Sequence, residues 1–219
     1  DKINEASAYT WATAGFFGRI NYDYSNKYFI AGNLRYDGSS RFLRKDRWGL
    51  FGSFSLGWNI AAEDFFSVNE NIINQLKPRV SWGTLGNQNT KSYYPMYLLQ
   101  TVKPNGGSWL MGDSKPTVAG MPGTISSSLT WETVQSLNIG FDLGMFRNRL
   151  NINFDYFIRK TLDMVGPASE VASIYGIGMP ASNNTDLRTK GWEVAASWRD
   201  RIGQVNYNIG FNMADSRSF

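Results

Sequence analysis

The chain has 219 residues, 42% of them hydrophobic and 15% aromatic, with 22 Lys and Arg against 18 Asp and Glu for a formal charge of +4. It contains neither Cys nor His, which removes disulfides, thiolate metal sites, the commonest metal ligand and the usual general base. The positive charge is mild and scattered, so a nucleic-acid groove is not indicated, and no apolar run of about 18 residues marks a transmembrane helix.

Taken in chain order, eight segments alternate apolar and polar side chains at period two, the mark of strands in a sheet with one greasy and one wet side. Residues 15–24 set Ile20 and Tyr22 against Arg19, Asn21 and Asp23. Residues 28–37 set Ile30 and Leu34 against Asn33, Arg35 and Asp37, and 50–60 bring Phe54, Leu56 and Trp58 into the apolar phase. In 76–85, Val80 and Trp82 oppose Lys77 and Arg79; Pro78 cannot donate to a ladder, so this strand is expected to start after it or to bulge there. Residues 134–146 and 149–159 continue with Leu137, Ile139, Phe141, Ile152, Phe154 and Tyr156 against Asn138, Asp142, Asn151, Asn153, Asp155 and Arg159. Residues 192–199 and 204–213 close the series with Val194, Trp198, Ile209 and Phe211 against Glu193, Arg199 and Asn212. No charged residue enters the apolar phase of any segment.

The connections alternate in length. Short links at 25–27, 147–148 and 200–203, and a medium one at 61–75 expected to open with a short helix at Glu63, alternate with long ones at 38–49, 86–133 and 160–191. Short turns on one rim and long loops on the other characterise an outer-membrane β-barrel, and about ten residues tilted by about 40° span its apolar band of about 25 Å. Aromatics gather at both ends of that band. Tyr22, Tyr24, Tyr28, Trp58, Phe146 and Trp198 lie toward the short-turn rim, and Tyr36, Trp48, Trp82, Trp131 and Trp192 toward the other. A soluble, carbohydrate-binding β-sandwich would alternate identically with its apolar side inward, and an eight-stranded barrel standing alone as an adhesin or small enzyme is a further reading.

Catalytic chemistry is not indicated, and neither a metal nor another cofactor is expected. The carboxylates of the wet phase come one per strand; Asp142 and Asp155 share a parity across the 147–148 hairpin and are each expected to pair with Arg or Lys. Arg19, Asn21, Asn33, Arg35, Arg79, Asn153, Asp155, Glu193 and Arg199 form the candidate inner wall, whose amides can hydrogen-bond a hydroxyl- or amide-rich solute. Tyr93, Tyr94, Tyr97 and Trp109 in the longest loop are candidate ligand residues, since rings stack on sugars or peptide side chains and loops of that length are commonly functional.

Three blocks resemble the SusC/RagA family of TonB-dependent outer-membrane transporters: FFGRINYDYSNKYFIAGNLRYDGSSRF from Phe16, with RWGLFGSFSLGWNI and LKPRVSWGTLGNQ after it; LTWETVQSLNIGFDLGMFRNRLNINFDYFIRKTLDMV from Leu129; and, more weakly, TDLRTKGWEVAASWR from Thr185. The resemblance implies an all-β, antiparallel transmembrane barrel, with residues 1–219 supplying eight consecutive strands of about 22 around a plug that is not visible here. A plug-like segment and a convincing terminal strand are both missing, and alternation is expected to fail over 214–218. The family further implies a SusD-like lipoprotein lid over the long loops, TonB acting through the plug, membrane lipid around the wall, and a large nutrient, oligosaccharide or oligopeptide, as cargo.

Overall fold

The computed structural model of the protein describes residues 10–69, 71–88, 90, 97, 100–121, 124–126, 129–166, 172, 174, 179–180 and 182–219. Among them, β1 (Thr13–Tyr24), β2 (Tyr28–Ser39), β3 (Trp48–Trp58), β4 (Ile73–Asn87), β7 (Glu132–Met145), β8 (Leu150–Gly166), β9 (Ser182–Ile202) and β10 (Val205–Ser218) form one antiparallel sheet in that order. The two-residue strands β5 (Val102–Lys103) and β6 (Val118–Ala119) pair with each other in the connection between β4 and β7. A 3-10 turn, Ile60–Ala62, lies just before the predicted helix start at Glu63.

The register confirms the two-faced reading. Tyr22 lies opposite Ile30 and Ile30 opposite Leu56; Leu56 meets Val80, Val80 meets Ile139, Ile139 meets Tyr156 and Tyr156 meets Trp192, a continuous apolar row across the wall. This face is bare. Ile20, Leu34, Phe54, Trp82, Ile139, Ile209 and Phe211 are all exposed, far beyond the patch of a few hundred Å2 that a soluble monomer shows. No second sheet covers it among the described residues, which removes the sandwich, and β1 and β10 pair on one side only, so the eight strands do not close on themselves. The fold is a barrel sector, with its greasy face outward.

Two hairpin turns have the geometry that the right-handed strand twist demands. Ser25 and Asn26 both adopt positive φ between Tyr24 and Lys27, whose backbone N–H donates to the Tyr24 carbonyl at 2.9 Å, and Arg147 and Asn148 do the same beyond Phe146. Rings mark both ends of the band. Tyr24, Tyr28, Trp58 and Phe65 run along the short-turn rim at centroid spacings of 6.4 Å, while Tyr36 stacks on Trp48 at 4.8 Å at the other.

Three expectations change. β4 begins at Ile73, with its irregularity at Ile73 to Gln75, and runs through Pro78, which sits opposite Phe141. The ladder to β3 ends at Gly57 opposite Arg79, one pair short of Pro78, so the missing N–H costs no bond on that side. β8 and β9 continue beyond the apolar band, and β10 runs to Ser218. Outside the bilayer a strand needs no apolar phase, because water satisfies both of its faces; alternation therefore stops before pairing does.

Candidate functional site

The polar face is assembled row by row. Arg19 lies opposite Asn33, Asn33 opposite Ser53, and Ser53 opposite Gly83; in another row Arg79, Gly140, Asp155 and Glu193 succeed one another across β4, β7, β8 and β9. Asn21, Arg35, Asn153 and Arg199 have the same phase, so all nine predicted wall residues stand on one side.

At the centre of this face Arg79 bridges two carboxylates, Nε to Asp142 Oδ1 at 3.2 Å and Nη2 to Asp155 Oδ2 at 2.5 Å. Asn153 Nδ2 donates to the same Asp142 oxygen at 2.8 Å. Gly140 makes the arrangement possible, since a Cβ there would sit 2.5 Å from Asp155 Oδ1. Lys77 instead lays its ammonium 3.5 Å over the Phe29 ring, passing Gly57, where a Cβ would crowd the Lys77 stem at 2.9 Å. Elsewhere several wall groups pair locally. Asn33 donates to Ser53 Oγ at 3.0 Å, Arg19 to Asn21 at 3.1 Å, and Arg35 binds Asp37 at 3.0 Å. A shallow concavity of about 500 Å3 opens among Asn33, Arg35, Ser53 and Ser81, with Phe51 and Leu85 making much of its lining apolar.

Toward the long-loop rim the polar face carries the apolar nucleus of the molecule. Phe42, Phe51, Leu129 and Trp131 are buried together with Val165 against them, the Trp131 ring 5.1 Å from Phe42 and 5.5 Å from Phe51. Trp131 was expected in the lipid-facing girdle; at 8% exposure it packs inside instead, its indole N–H donating to the Arg47 carbonyl at 3.2 Å. Phe51 stands in the polar phase opposite Arg35, and an aromatic out of phase is the sequence signal that would have found the nucleus. Its ring takes the space above Gly86, where a Cβ would approach within 2.1 Å. Polar ties extend the knot to the other loops. Glu132 accepts from Asn87 at 2.6 Å and from the Val165 N–H at 3.0 Å, and Asn183 Oδ1 accepts from the Thr130 N–H at 3.1 Å.

Of the candidate ligand residues, Tyr97 and Trp109 are exposed at 64% and 56%; Tyr93 and Tyr94 lie outside the described residues. At the short-turn rim, Glu63 accepts from Trp58 Nε1 at 2.9 Å and pairs with Lys27 at 3.3 Å, while Asp64 meets Lys27 at 3.2 Å. Hydrogen bonds from Tyr28 and Trp58 hold the Glu63 carboxyl below its ordinary value, and those to Asp64 and Glu63 hold Lys27 above its own.

A family model described as TonB dependent receptor-like, beta-barrel, matches residues 3–218. The chain is 30% identical over 218 residues to the TonB-dependent receptor SusC of Bacteroides thetaiotaomicron, covering 96% of this chain and 22% of that one. It is 30% identical over 203 residues to TonB-dependent receptor P3 of Formosa agariphila, covering 92% and 20%. A solved structure of the RagAB peptide transporter superposes with a TM-score of 0.80 at 25% identity, over 95% of this chain and 22% of that one. The chain thus spans about a fifth of the length of these relatives. Its sheet, register and sequence together place it in the TonB-dependent receptor β-barrel family, among relatives of SusC and RagA.

Proposed function

We propose that residues 1–219 are a sector of the barrel domain of an outer-membrane importer for large nutrients, forming its wall and outer vestibule beside a plug contributed by the rest of the protein. The observation that carries this reading is the pairing of an outward face free of charge across its apolar band with an inward face of amides, hydroxyls and scattered charges, Arg79 bridged among them. Such a wall gives a hydrated solute many weak partners and no deep trap, which transit requires. The relatives support the same direction, one being SusC and another a peptide transporter.

The cargo is an oligosaccharide or an oligopeptide, admitted under a SusD-like lid seated on the long loops and released inward when TonB acts on the plug. Tyr93, Tyr94, Tyr97 and Trp109 contact cargo or lid, and Arg19, Asn21, Asn33, Arg35, Arg79, Asn153, Asp155, Glu193 and Arg199 line the lumen. Uptake of labelled oligopeptides and oligosaccharides by cells carrying the full-length transporter tests the proposal. Alanine at Tyr93, Tyr94, Tyr97 and Trp109 together is expected to lower uptake at least about tenfold with surface level unchanged. Unaltered uptake of every probe would remove the loop from the site.

A further inference from the structure

The outward face changes character in one sector of the long-loop rim. Where Ile158 of β8 lies opposite Lys190 of β9, Lys190 in turn lies opposite Arg217 of β10. One row further out, Lys160 lies between Gln135 and Arg188. All four cations share the phase of Ile139, Tyr156 and Trp192, so they stand on the lipid side of the wall.

Like charges directly opposite one another repel, and Lys160 with Arg188 and Lys190 with Arg217 are two such pairs. Among the described residues none of the four has a carboxylate within salt-bridge distance. Of the carboxylates nearby on these strands, Asp215, opposite Trp192, shares the outward phase but pairs with none of the four, and Asp186 accepts from the Asp163 N–H at 3.1 Å. A concavity of about 200 Å3 opens between Trp82, Gln135, Leu137, Ile158, Lys160 and Arg188, its lining shared between apolar and polar side chains. The same rim of β1–β3 presents Phe16, Tyr36 and Trp48 instead.

We propose that Lys160, Arg188, Lys190 and Arg217 bind the phosphate of an anionic lipid headgroup in the leaflet at the long-loop rim, with an acyl chain lying over Trp82, Leu137 and Ile158. The site rests on the membrane-wall reading above. Long basic stems follow apolar surface while their heads reach headgroup depth, and a phosphate between the strands relieves both repulsive pairs at once.

The test uses the full-length transporter in detergent and measures, by native mass spectrometry, retention of a phosphorylated glycolipid, lipid A, beside the same glycolipid with its phosphates removed. The native protein is expected to prefer the phosphorylated form. K160Q/R188Q/K190Q/R217Q should weaken its retention on the order of a hundredfold, whereas K160R/R188K/K190R/R217K should keep it. Equal retention of the two lipids by the native protein, or undiminished retention by the glutamine variant, overturns the site. Displacement by millimolar inorganic phosphate with no dependence on the lipid also overturns it, since that marks a small-ion site. Heat-modifiable migration reports folding of each variant; if the glutamine variant does not fold, the native preference and the charge-preserving variant decide. Failure of the native protein to insert into bilayers at all would instead strike the wall reading.

Discussion

Arg79 is the side chain on which most of the polar wall converges. Removing it leaves Asp142 and Asp155 facing each other without a cation, so Arg79→Ala should cost about 1–3 kcal/mol in the urea unfolding of the full-length protein in lipid, read by far-UV circular dichroism, a range set by the partial exposure of all three groups. Arg79→Lys keeps the charge but loses the fork and is expected to recover less than half of that. Glu63 offers a pH test at the opposite rim. Its folded value is depressed, so its contribution is fully present above its ordinary value of 4.5 and is lost as the pH falls through the folded value. Lys27 is raised, so its share is present below 10.5 and lost above its own folded value. The difference in thermal midpoint between the native protein and Glu63→Gln should therefore stay constant from about pH 5 to 10 and close as the solution is acidified; a constant difference down to pH 2 would contradict the clamp. The parity of Asp142 and Asp155 was legible in the sequence, because their hairpin is two residues wide. The arrival of Arg79 was not, since it depends on β4 meeting β7 across the long 88–131 connection.

Among elements, the knot of Phe42, Phe51, Leu129 and Trp131 sets how the long loops behave. It joins the connection after β2, strand β3 and the approach to β7, so Phe51→Ala should cost about 3 kcal/mol and expose all these segments to protease added outside intact cells. Cleavage confined to one loop would show that the loops are independent. The strands themselves were legible wherever lipid enforces alternation, and their outer ends were not. Beyond Lys160 the pairing of β8 with β9 continues through a register shift and a positive φ at Asp163, where no apolar phase announces a strand. Trp131 was misplaced for a related reason: an indole near a rim has the same spacing whether it faces headgroups or packs inward, and only its contact with Phe51 decides. Two of the four loop aromatics put forward as ligand residues fall outside the described residues, and the other two lie on an exposed surface that sequence pattern alone could not orient.

For the molecule as a whole, the two faces of the sheet should respond oppositely to one added charge. Phe141→Arg enters the middle of the apolar band and should destabilise refolding into vesicles by about 2–4 kcal/mol, while Ala31→Arg, in the polar phase of β2 between Asn21 and Ser55, should change it by less than about 0.5 kcal/mol. Equal penalties would mean that both faces meet the same medium. The ladders are not equally long either. β3 and β4 share only the pairs from Ser53 with Gly83 to Gly57 with Arg79, and Thr84 Oγ1 stands in for the next rung by accepting from the Gly52 N–H at 3.0 Å, whereas β7 and β8 stay in register from Thr133 to Met145. A wall built this way has a tear line. When the protein is drawn out of a membrane under mechanical load, the sheet should part between β3 and β4, releasing one leaf of three strands while the five behind them hold.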